Sequence, residues 1–128
     1  MYRRPIPLFL CLLVCTGCGN KKSTSELIAD LKSPDEGERL KAVRLLPERQ
    51  GEAAQIVPAL IEALKDHHAD IRRSAAIGLG NFGQHARDAI PALQAILSDR
   101  DARVREAASV AIGRIDPTMA PKPLGKAR

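Results

Sequence analysis

The chain has 128 residues, a formal charge of +5 and a pI near 9.4, with 2% aromatic residues and three cysteines. That length suits one small domain, and the basic balance is a property of its ends: Arg3, Arg4, Lys21, Lys22, Lys122, Lys126 and Arg128 lie outside a middle that is slightly acidic. With Tyr2 and Phe9 near the N-terminus and only Phe82 beyond them, there is no aromatic platform for stacking bases, so nucleic-acid binding is excluded as a function class.

Residues 1–17 read as an export signal. Arg3 and Arg4 form the positive region, Leu8 to Val14 the apolar region, and Thr16-Gly17 a small-residue site before Cys18. The apolar run from Pro5 to Gly17 falls short of the roughly 20 residues that cross a bilayer. Leu13-Val14-Cys15-Thr16-Gly17-Cys18 resembles a bacterial lipobox, with Cys15 where that motif prefers Leu. The resemblance implies that Cys18 is acylated and becomes the new N-terminus, which predicts an exported lipoprotein anchored in a bilayer on the periplasmic or cell-surface side. The alternative is an ordinary secretory signal cut after Gly17. Cys11 and Cys15 leave with the signal in either case, so the mature chain forms no internal disulfide and must be held by apolar burial. Residues 18–24 then comprise the lipidated cysteine and a short polar tether.

Downstream, the same pattern recurs every 33 residues: Leu27, Leu60 and Leu93; Leu31, Leu64 and Leu97; Arg39, Arg72 and Arg105; Ala42, Ala75 and Ala108. Constant spacing without gaps is the mark of a repeated supersecondary unit that stacks on its own copies. Three units are expected, about 25–55, 56–88 and 89–116. Val57, Leu60, Ile61 and Leu64 form the stripe of a first helix, with Pro58 and Pro91 at its start. Ile71, Ala75, Gly78, Leu79 and Phe82 form the stripe of a second helix. Asp35, His68 and Asp101 stand at its N-cap, and Gly80, Gly83 and Gly113 at its end. Small residues at Ala75, Ala76, Ala107 and Ala108 allow close helix approach. The third unit lacks a polar cap, with Ile96 and Ile115 near an exposed end, so partner docking or homo-oligomerisation through the third repeat is expected there. From Pro117 to Arg128 a Pro/Lys-rich tail has no helical period and should be extended or disordered.

Pro58-Ala59-Leu60, Leu64-Lys65-Asp66, Ile71-Arg72-Arg73 and Ala75-Ala76-Ile77-Gly78-Leu79-Gly80 resemble the HEAT family in its short form, the PBS-lyase HEAT-like repeats. Pro91-Ala92-Leu93, Leu97-Ser98-Asp99, Val104-Arg105-Glu106 and Ala107 to Gly113 carry the same resemblance again. Unit one departs from it, with Glu38 in place of an apolar residue and Pro47 in place of the closing glycine, as suits a terminal unit facing water. The resemblance implies an all-α fold, a short right-handed α-solenoid of three helix pairs. It also implies that Asp66 and Asp99 bond with Arg39, Arg72 and Arg105 from repeat to repeat, as structural residues. On the concave face Ile77 and Val110 occupy a position usually charged, as Arg44 is in unit one. With Arg73, Asn81 and Arg114 they would form an apolar strip edged by positive charge and suited to a protein partner. The competing readings are isolated surface aliphatics, or a tail that folds over them.

Catalysis finds no support. His67, His68 and His85 show no metal-ligand spacing, and Gly78, Gly80 and Gly83 are not followed by Lys-Ser/Thr, so no metal, cofactor or nucleophilic centre is expected. The expected function is a membrane-anchored lipoprotein that binds an unknown protein partner without catalysis. The alternative implied by the family resemblance is a bilin lyase or chaperone-like role, to which an export signal and only three repeats are poorly suited.

Overall fold

A computed structural model describes residues 21–121. Six α-helices form three pairs: α1 (Thr24–Asp30) with α2 (Glu36–Leu45), α3 (Ala53–Ala63) with α4 (Ala69–Asn81), and α5 (Ile90–Ala95) with α6 (Ala102–Ile115). No strand occurs among the described residues. The second helices begin at Glu36, Ala69 and Ala102, so the 33-residue period survives in the fold as translation along a solenoid.

Three of the six helices, α1, α2 and α6, start where a side chain satisfies a free amide. Ser23 and Glu26 form a reciprocal capping box on α1. The Asp35 and Asp101 carboxylates accept amides in the first turns of α2 and α6. His68 occupies the equivalent position on α4 but makes no side-chain cap bond.

Leu27, Leu60 and Leu93 are buried, as are Leu46, Leu79 and Ile112 at a second position of the repeat. Burying one such side chain contributes about 1.5–3 kcal/mol. The layers are unequal. The second helices pack extensively side by side, α4 against α6 above all, whereas α1 and α3 barely touch. Small residues make the inner layer tight: a Cβ at Gly80 would stand 3.1 Å from the Ala111 Cα, and one at Gly78 2.6 Å from the Pro47 Cγ.

Several expectations are corrected. Gly80 lies inside α4 as a point of close approach, and Gly113 lies inside α6; only Gly83 follows a helix in the left-handed conformation, at φ 52°. Pro91 sits in the first turn of α5, but Pro58 lies in the interior of α3. Ala53 continues the helix there, while its counterpart Ala86 breaks the preceding 3-10 segment Gly83–Ala89 at φ −99°, ψ 20°. Pro58 and Ala54 are both exposed, so the Ala54 carbonyl that lacks an amide partner faces solvent.

The described start of the tail differs from its expected form, while residues 122–128 lie outside the described residues. Pro117–Met119 make a 3-10 turn capped by Asp116, which accepts Thr118 N and Thr118 Oγ1 at 3.0 and 2.6 Å. This turn packs on α6, leaving Ile115 1% exposed rather than at an open end, and Ile96 is partly buried.

Candidate protein-docking face

An arginine ladder fixes the register of the repeats. Arg39 donates through Nη1 to the Ser33 and Pro34 carbonyls and through Nε to Asp66 Oδ2 at 2.8 Å, with Nη2 at 3.5 Å from Oδ1. Arg72 repeats the arrangement one unit on. Nη1 holds the Asp66 and His67 carbonyls, while Nε and Nη2 grip Asp99 at 2.8 and 2.9 Å. Asp66 and Asp99 each accept one further amide at 2.9 Å, from His68 and Asp101. Arg105 bonds the Asp99 and Arg100 carbonyls at 2.7 and 3.3 Å.

These contacts shift ionisation. The Arg72 fork holds the Asp99 carboxyl below the usual range and is itself held protonated more firmly by Asp99. Burial works against ionised Asp66, but the His68 amide and Arg39 outweigh it and its pKa is also lowered. Asp101, bonded to the Arg103 guanidinium and backbone amide, falls to about 2.

The second face is the outer surface of the inner layer. Ile77 and Val110, one repeat apart on α4 and α6, are 40% and 50% exposed. Arg44, Arg73, Asn81 and Arg114 are exposed as well. Arg73 and Ile77 form a ridge along α4 with a groove on each side. The α4/α6 groove, about 290 Å³, is lined by Arg73, Ile77, Arg103, Glu106, Val110 and Arg114. The α2/α4 groove, about 560 Å³, includes Arg44, Pro47, Glu48, Ile77 and Asn81. Arg114 Nη1 donates to Asn81 Oδ1 at 3.1 Å, and Arg103 lies 3.6 Å from Asp70, so polar bridges close the α4/α6 groove at both ends.

All six residues singled out on this face therefore border one connected surface. Arg103, Glu106 and Glu48 were missed by the sequence reading. Their signal was present, since they stand 33 residues from Asp70, Arg73 and Asn81. The tail does not cover the strip within the described residues: Ala120 meets the Gly113 position, a turn beyond Val110.

Cys18 lies outside the described residues. The expected tether is shorter than six residues, because Thr24 already belongs to α1 and Lys22 is tied to Asp30 and Glu38 at 2.7 and 3.1 Å. Arg49 adds bonds to the Lys22 carbonyl and to Thr24 Oγ1. No described helix is long and apolar enough to cross a membrane, and no described cluster of His, Cys, Asp or Glu suits a metal ion.

The HEAT-repeat family profile matches residues 24–113. Among solved structures, the chain is similar to the complex of CpcE and CpcF of phycocyanin lyase from Nostoc sp. PCC7120, at 31% identity and a TM-score of 0.68. The match covers 80% of this chain and 41% of that one, so this chain spans less than half of its neighbour. No curated protein matches it.

Proposed function

Because the chain belongs to the HEAT-repeat family, we propose that it is a membrane-anchored lipoprotein whose solenoid docks a protein partner on the inner-layer face, as a scaffold without catalysis. The observation that carries this reading is the exposed Ile77–Val110 pair, edged by Arg73, Arg103 and Arg114 and bordered by two open grooves. An exposed strip with an apolar centre and a charged rim is the composition of a docking surface. Anchoring rests on the signal-like segment and Cys18, since two or more acyl chains on one residue hold a protein stably at a bilayer.

Two measurements test it. Mass spectrometry of the mature N-terminus should find an acylated Cys18, and an unmodified soluble product sinks the anchor. Crosslinking in intact cells should capture the same partner with the natural chain and lose it with Ile77→Asp plus Val110→Asp; unchanged capture removes this face from the site.

The neighbouring lyase complex favours a second reading, a bilin-handling role. An absorbance titration with a bilin separates the two. A saturable spectral shift that disappears in Ile77→Asp/Val110→Asp, without any protein partner, would reverse the preference.

A further inference from the structure

The arginine ladder is finished at one end and open at the other. In both internal steps the guanidinium does two jobs: Nη1 closes its own inter-helix link, and the Nε/Nη2 edge grips a carboxylate of the following unit. Arg105 does the first job with the same geometry but meets no carboxylate among the described residues, and its side chain is exposed where Arg72 is 7% exposed. At the other end Ser33 takes the aspartate position. Its hydroxyl accepts the Asp35 amide at 3.2 Å, as Asp66 and Asp99 accept theirs, but it brings no charge.

We propose that Arg105 is a preformed half-site for a carboxylate in the inter-helix link of a partner protein's helical hairpin, which docks on the end of the third repeat as a further unit. The two internal copies define what fits: an aspartate that closes a link between helices while presenting both oxygens to a bidentate fork. Head-to-tail stacking of this same chain does not supply it, because the residue offered would be Ser33. Residues 1–20 and 122–128 contain no Asp or Glu, so those two segments offer no acidic side chain either. The turn Pro117–Met119 covers the C-terminal part of α6 and leaves Arg105, near its N-terminus, accessible. This surface is separate from the Ile77–Val110 strip.

The test is photocrosslinking in the cells that make the protein, from a photoreactive residue in place of the exposed Ala102. The expected product joins Ala102 to a different protein, at an inter-helix segment bearing Asp or Glu. Arg105→Glu should lower its yield about tenfold or more, as loss of a charge-assisted pair implies. Changing the partner's carboxylate to Arg should restore the yield against Arg105→Glu, and Ile77→Asp should leave it unchanged. Should Arg105→Glu fail to fold by circular dichroism, Arg105→Lys gives the same reading, with charge kept and the fork lost. A product with a second copy or with the chain's own C-terminus, a crosslinked segment without a carboxylate, yield indifferent to Arg105, or no product at all would overturn the proposal.

Discussion

The two joints of the solenoid use the same parts with different fit. Between repeats two and three, Arg72 meets Asp99 with two bonds under 3 Å, and Gly80 lets α6 approach the α4 backbone. Between repeats one and two, Arg39 keeps one short bond to Asp66 and one stretched to 3.5 Å, and Pro47 wedges against Gly78. The first joint is a looser copy of the second, which teaches that a constant 33-residue spacing preserves the contact plan while individual residues set how tightly each step closes.

The largest test of that contrast is removal of the ladder cations. Arg72→Met leaves the part-buried Asp99 carboxylate without its cation and should destabilise by about 3 kcal/mol, the low end for breaking a buried pair. Arg39→Met should cost about 2 kcal/mol and Arg105→Met under about 1 kcal/mol, as burial decreases along the series. Denaturant titration of the three variants checks the order; equal losses would mean that fit at the joints does not matter. Next, Gly78→Ala drives a methyl into the fixed Pro47 ring, so it should cost about 1–2 kcal/mol despite the better helix propensity of alanine. Combining it with Pro47→Ala should recover most of that loss.

Acid gives a smaller effect. Asp66 and Asp99 have lowered pKa values in the folded chain, so the unfolded chain binds more protons as pH falls below the ordinary carboxylate value of 3.8. Their stabilisation is present above that value and is lost as pH drops through the folded pKa values. Stability measured from pH 5 to pH 2 should fall less steeply in Arg72→Met than in the natural chain. Smallest of all, Ile77→Asp and Val110→Asp should change stability by under about 0.5 kcal/mol each, because both side chains already face solvent. A large loss would show that the strip is held by packing and is not free for a partner.

The three helix pairs were legible because burial is periodic: Leu27, Leu60 and Leu93 must all turn inward for the layers to close. The family resemblance implied the Arg39–Asp66 and Arg72–Asp99 pairs, but Arg105, expected to join them, bonds only the Asp99 and Arg100 carbonyls. What escaped is what depends on a neighbour rather than on the period. Pro58 looks like a helix start until Ala53 is seen to continue the helix before it, and Gly80 looks like a terminator until Ala111 arrives opposite. The Asp116–Thr118 turn has no helical period to mark it, although an Asp-Pro-Thr sequence carries its own local hydrogen bonds. On the α4/α6 face, Ile77 and Val110 stood out as apolar exceptions, whereas Arg103 and Glu106 looked like ordinary surface charge until α4 and α6 formed a groove between them.

Under the proposed anchoring at Cys18, the clasp on Lys22 has a mechanical consequence. Only residues 19–21 separate that cysteine from the first ionic contact, a leash of at most about 14 Å for the four steps to Lys22. On that proposal, so short a leash would hold the grooves beside Ile77 at a nearly constant height above the lipid. A partner held at that same height would then meet them at high local concentration, while a soluble competitor would gain nothing from the mooring.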